Sequence, residues 1–238
     1  MLIAILNQST AVQNTDAETM TAAIASQIQT DVAPIWERAP ATVTFYTDST
    51  TVPPGAYLIA IVDTIPNQPT GVLGGHAENQ AGQMSGVVAA QPELANGGQV
   101  LTGDWSVSST LSHEVLEMFI DPSCNLWAND GQGSVYSFEV CDPVEAPTYP
   151  VNGVSVSNFV TPAWFDPLAP SGSQFDKLGK LTAGFSILPG GYMTYESANG
   201  KVQQQWGAAY PGWRKTMKGG PEARGQQRLL QLQASYHV

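Results

Sequence analysis

The stretch Ser106–Pro122, SVSSTLSHEVLEMFIDP, decides the fold. Val107, Leu111, Val115, Met118 and Phe119 recur at helical spacing and form one apolar face, while Leu116 and Ile120 add apolar side chains elsewhere round the circumference. Such a helix is mostly buried. Pro122 has no N–H and disfavours helical backbone at Asp121, so the helix ends there. Its middle nevertheless holds His113, Glu114 and Glu117. A carboxylate taken out of water without a partner is costly. The chain has nine Lys and Arg against twenty Asp and Glu, so a cation from solution is the more economical compensation.

The spacing agrees. Residues four apart lie on one helix face, about 6 Å from each other, so His113 and Glu117 can address one ion while Glu114 lies beside it, rotated round the axis. Downstream, FEVCDPVE (Phe138–Glu145) supplies Glu139 and Asp142. After the helix stop, the loop SCNLWANDGQGS turns back, and a strand is expected to bring Glu139 under the helix as a third ligand. Asp142 is then an alternative ligand, or a supporting partner on the free ring nitrogen of His113.

This pattern resembles the HExxH helix of the zincins, metallopeptidases in which two histidines bind zinc and the intervening glutamate is the general base. Here Glu117 stands at the second histidine position. The wider set of His113, Glu114, Glu117, Pro122, Asn125, Trp127, Glu139 and Asp142 is similar to the motif segment of the plant phosphate-induced (exordium-like) proteins and of related bacterial metallopeptidases. The cysteine differs in place: Cys141 precedes Asp142, whereas in the plant pattern it follows. EVCDPVE, FVTPAWFDP and PGGYM further resemble a group of bacterial and phage proteins. The resemblance implies a zincin-like α+β fold: a mixed sheet, an active-site helix and a loop-rich second half with short strands. It implies Glu114 as the catalytic base, His113, Glu117 and Glu139 as metal ligands, and zinc as the ion. Calcium or another divalent ion is the alternative, and Asp121, Asp130, Asp142 and Glu145 could together form an all-oxygen calcium site.

The rest of the chain fits one domain spanning 1–238, with a strand and helix half to residue 122 and a half of loops and short strands from 123 to 238. Leu2–Leu6, Ala41–Asp48, Ala56–Asp63 and Met84–Ala90 read as strands, and Asp16–Trp36 as an amphipathic helix. Ser134–Val140 and Val154–Val160 alternate as strands do, and Phe185–Tyr195 reads as two strands around Pro-Gly-Gly. The last stretch, Lys215–Val238, has a basic, Gln-rich helix-like piece around Arg224–Gln233. The net charge of -11, with only 12% charged residues, argues against nucleic acid and anionic membrane as partners. No apolar run is long enough for a membrane span and the start lacks a signal peptide's pattern, so a cytoplasmic or virion-associated setting is expected. Cys124 and Cys141 can pair, bind metal or remain buried thiols; with no export signal a disulfide is the less favoured state.

Three functions compete. The first is a metal-dependent hydrolase, a peptidase by resemblance, with water activated by a divalent ion and Glu114; His76, Tyr149 and Tyr192 are candidate substrate-facing groups. Its partner is a peptide or protein substrate. A His with two carboxylates leaves a divalent ion formally neutral, so weaker water activation than at a two-histidine site is expected. The second is a structural or phage-particle protein whose ion clamps helix to loop, with a protein assembly partner. The third is a binding module built on the aromatic residues of the second half, including Trp164, Tyr192, Trp206 and Trp213. Met193, in the Pro-Gly-Gly turn, reads as core filling.

Overall fold

The computed structural model describes residues 1–66, 72–78 and 82–209. Four parallel strands, β1 (Leu2–Asn7), β2 (Thr42–Tyr46), β3 (Tyr57–Val62) and β5 (Met84–Ala89), form a sheet with one antiparallel edge strand, β4 (Gly74–Glu78), in the order β2-β1-β3-β5-β4. β1 is an interior strand, with Ile5 opposite Phe45 on one side and Ile59 on the other. Ile3–Leu6 are buried in succession, which is why this strand reads as a continuous apolar run without alternation.

Between β1 and β2 runs α1 (Asn14–Gln27), continued through a π-helical turn, Ile28–Val32, into α2 (Ala33–Ile35). This is the amphipathic segment expected over Asp16–Trp36. Met20, Ile24 and Ile28 are fully buried, together with Ile3, Ile5, Ile59 and Ile61 of the strands and Leu111, Leu116 and Met118 of α4 (Val107–Ile120). Each such side chain contributes roughly 1.5–3 kcal/mol by leaving water. α4 packs on α1, β3, β4 and β5, and on β9 (Val154–Ser157) of the second half, so it lies at the centre of the molecule.

α3 (Gln91–Ala95) precedes α4. Beyond α4 lie an antiparallel sheet ordered β11-β10-β7-β6, built from β6 (Trp127–Asn129), β7 (Val135–Ser137), β10 (Tyr192–Glu196) and β11 (Val202–Trp206), and a hairpin of β8 (Thr148–Val151) and β9 (Val154–Ser157). The chain is thus mixed α+β, as the residue pattern predicts.

Several details differ from expectation. Gly74–Glu78, within a glycine-rich stretch of low strand propensity, is a paired edge strand, so His76 belongs to a sheet and not to a loop. Only the second half of Phe185–Tyr195 forms a strand, and its partner is Val202–Trp206. The strand expected over Ser134–Val140 is confined to Val135–Ser137, so Glu139 is carried by irregular chain beyond β7. The tail after Lys215, with Trp213, lies outside the described residues. No helix among the described residues is long and apolar enough to cross a membrane.

Candidate metal centre

Both ends of α4 are fixed by specific contacts. Ser106 Oγ accepts from the Ser109 N–H at 3.2 Å and Ser109 Oγ accepts from the Ser106 N–H at 3.1 Å, a reciprocal cap that satisfies two donors at the helix start. At the other end the Arg38 guanidinium donates to the carbonyls of Phe119 and Ile120, where cationic donors are favoured. The Asp121 carboxylate accepts from the N–H groups of Asn125 and Leu126, which turns the chain back toward the helix. Phe138 N then donates to the Leu126 carbonyl, and Glu139–Asp142 follow directly.

Those contacts gather the candidate residues. Three groups of donor atoms lie within 4.8 Å of one another: His113, Glu117 and Cys141; Glu117, Glu139 and Asp142; and His76, Glu114 and Glu117. Glu117 belongs to all three. The four carboxylates of Glu114, Glu117, Glu139 and Asp142 are between 0% and 4% exposed. The four Lys and Arg side chains among the described residues are placed elsewhere. Arg38 binds carbonyls, Lys177 pairs with Asp31 at 2.8 Å, and Lys180 and Lys201 are exposed.

His113 Nε2 stands 3.2 Å from Glu117 Oε1 and 3.0 Å from Asp142 Oδ1, yet neither oxygen lies where its N–H would point. Two oxygens flanking an imidazole nitrogen off its axis is the disposition of donors round a cation. Bonds of the zinc type place neighbouring donors about 3.3 Å apart in a tetrahedral shell. The donor set therefore fits a divalent ion. Asp142 was expected on the other ring nitrogen of His113; it shares Nε2 with Glu117 instead, which moves it from a supporting place into the candidate ligand set.

Burial alone pushes His113 down, but the Glu117 and Asp142 carboxylates outweigh it and hold the imidazole well above its ordinary value. Burial, and then the Glu117 carboxylate, push the Cys141 thiol well above its own. Both cysteines are buried thiols with no disulfide between them. Cys124 Sγ donates to the His76 carbonyl at 3.4 Å.

His76 is the residue whose place sequence reasoning left most open. From β4 its ring reaches Glu114 Oε2 with Nδ1 at 3.4 Å and the Asp121 carbonyl with Nε2 at 3.2 Å. Burial pushes this imidazole down, while Cys124 and Glu114 push it up more strongly, to about 10. Tyr149 lies in the hairpin strand β8. Its hydroxyl accepts from Gln27 Nε2 and donates to Asp31, in a buried network that also ties Ser112 and Ser157 together. Tyr192 is buried in β10 with its ring against Trp206, and Met193 belongs to the apolar core. Asp121, Asp130 and Glu145 are in none of the three donor groups, so the four-residue oxygen set does not assemble. Asp130 instead organises its own loop, accepting from the N–H groups of Gln132 and Ser134. Gly74, which no sequence signal singled out, meets Glu114 directly.

Comparison with known proteins finds no matching family model, no matching curated protein and no matching solved structure. The buried His, Glu and Cys cluster, able to hold a metal ion, is what characterises the chain.

Proposed function

We propose that this protein is a metal-dependent hydrolase acting on peptide bonds, in which His113, Glu117 and the Glu139 and Asp142 carboxylates hold a divalent ion and Glu114 takes a proton from the attacking water. The placement of Glu114 carries this reading. It sits one residue from His113, within 4.8 Å of Glu117, with its carboxylate pressed on β4 at Gly74. A purely structural ion would be served by the ligands alone. A further carboxylate held between the ion's residues and a sheet edge is what proton transfer to a substrate there requires.

When bound, a divalent ion acidifies water and polarises a carbonyl group. The chain's own residues do the rest. Glu114 accepts the water's proton and delivers it to the leaving amine; His76 holds Glu114 Oε2 from the β4 side. β4 ends its sheet, and an extended peptide is the substrate class that pairs with such an edge. One observation favours the second reading, an ion that only clamps α4 to the returning chain: His113, Glu114, Glu117, Glu139 and Asp142 are all 6% exposed or less.

The two readings part in one experiment. Elemental mass spectrometry of the wild type should find a divalent ion that Glu117→Ala loses, and a peptide library should be cleaved by the wild type. Glu114→Gln should retain the ion at His113 and lose turnover. Turnover unchanged in Glu114→Gln would refute the proposed role, and absence of any ion after reloading would refute the metal centre.

A further inference from the structure

A second donor group stands beside the ion proposed on His113. His76, Glu114 and Glu117 offer ligand atoms that all lie within 4.8 Å of one another, and the three residues are buried. A divalent ion held there would share Glu117 with the first.

The geometry says where that ion sits. The Asp121 carbonyl can only accept, so the contact at 3.2 Å puts the N–H of His76 on Nε2. Nδ1 then carries the lone pair in the neutral ring, and it faces Glu114 Oε2 at 3.4 Å. A lone pair facing a carboxylate oxygen is repulsive unless something positive lies between. In the metal-free protein a proton can fill that place. The separation is longer than the usual 2.9 Å or so of an N–H···O bond and close to the roughly 3.3 Å between donors sharing a metal. A ring N–H donated to a backbone carbonyl is also how metal-bound histidines are commonly oriented. Gly74 supplies the remaining condition, since its missing Cβ lets the Glu114 carboxylate come up to the strand that bears His76.

We infer that the protein binds a second divalent ion, held by His76 Nδ1, Glu114 and Glu117, with Glu117 bridging it to the ion on His113. The inference rests on the metal centre proposed above and extends it from one ion to two. Carboxylate-bridged pairs of this kind stand about 3.5–4 Å apart. With the second ion bound Glu114 is a ligand, so its service as proton acceptor belongs to the form carrying one ion.

The test uses the full metal-free chain, dialysed against Mn(II), with bound metal counted by elemental mass spectrometry and spin coupling read by electron paramagnetic resonance. Wild type should bind two equivalents with a coupled signal. His76→Ala should bind one, uncoupled, and His76→Gln should do the same while keeping an N–H donor for the Asp121 carbonyl; circular dichroism of the metal-free variants checks their fold. One equivalent in the wild type, or two in both folded His76 variants, overturns the second position and leaves the first intact. No bound ion in the wild type overturns both.

Discussion

Gly74 and Glu114 are in direct contact: a Cβ at position 74 would stand 2.5 Å from Glu114 Oε1 and 2.9 Å from its Cδ and Cγ. The edge strand is bare at Gly74, where the carboxylate comes closest to its backbone, two residues before His76. Gly74→Ala is therefore an overpacking substitution inside a closed cluster, and such changes cost about 1–3 kcal/mol. Urea denaturation should find a loss in that range. If Glu114 is the proton acceptor, turnover should fall much further than stability, because the carboxylate must move while His113, Glu117 and Asp142 keep their places.

Much of this was legible from the residues, and the parts that were not share a physical cause. α4 announced itself through an apolar periodicity interrupted by His113, Glu114 and Glu117, and the downstream spacing pointed to Glu139 and Asp142. The strands rich in β-branched residues were equally readable. Gly74–Glu78 was not, because glycines give no periodicity and their role is to be approached by another side chain. His76 gained its setting only through contacts with Glu114 and Asp121, 38 and 45 residues away in sequence. The setting of Tyr149 was hidden for a related reason: its hydroxyl bonds Gln27 and Asp31, more than a hundred residues away in sequence. Which nitrogen of His113 would meet Asp142 depended on ring orientation, which spacing does not encode.

The contact between His113 Nε2 and Asp142 Oδ1 at 3.0 Å yields a metal-affinity prediction. Asp142→Ala should weaken the ion on His113 by at least about tenfold, the lower end of what loss of a supporting carboxylate costs a metal site. Competition with a chromophoric chelator measures this. Chelation of the wild type should also lower its melting temperature, since an ion bound to the folded state alone stabilises it by mass action. Asp142→Ala should narrow that difference.

Ser112 offers a test of the scaffold behind the cluster. Its hydroxyl donates to Gln27 Oε1 at 2.7 Å and accepts from the Ser157 N–H at 3.1 Å, joining α1, α4 and β9 where no water reaches. Ser112→Ala leaves a buried acceptor and a buried donor short of a partner, a defect worth about 1–3 kcal/mol per group. Equilibrium unfolding should show the loss. Metal content should be unchanged, because the helix still presents His113 and Glu117 on the same face. Loss of metal in this variant would mean that the network positions the ligands and does not merely stabilise the fold.

Asp63 gives a pH-dependent prediction remote from the metal. Its carboxylate accepts from the hydroxyls of Ser9 and Thr10 and from the N–H groups of Thr10 and Ala11, tying the loop after β1 to the end of β3. The Ser9 hydroxyl first, and then that of Thr10, hold this carboxyl below its ordinary value against the opposing effect of burial. A group whose folded value is depressed binds its proton more readily in the unfolded chain. Its contribution is present above the ordinary carboxylate range and is lost as pH falls through the folded value. Asp63→Asn should therefore melt below the wild type at neutral pH, and the gap should close in acid as the wild-type carboxyl protonates. Thermal melts of metal-free protein across that range measure it. A gap that stays constant with pH would show that the loop is held by the side chain's shape and not by its charge.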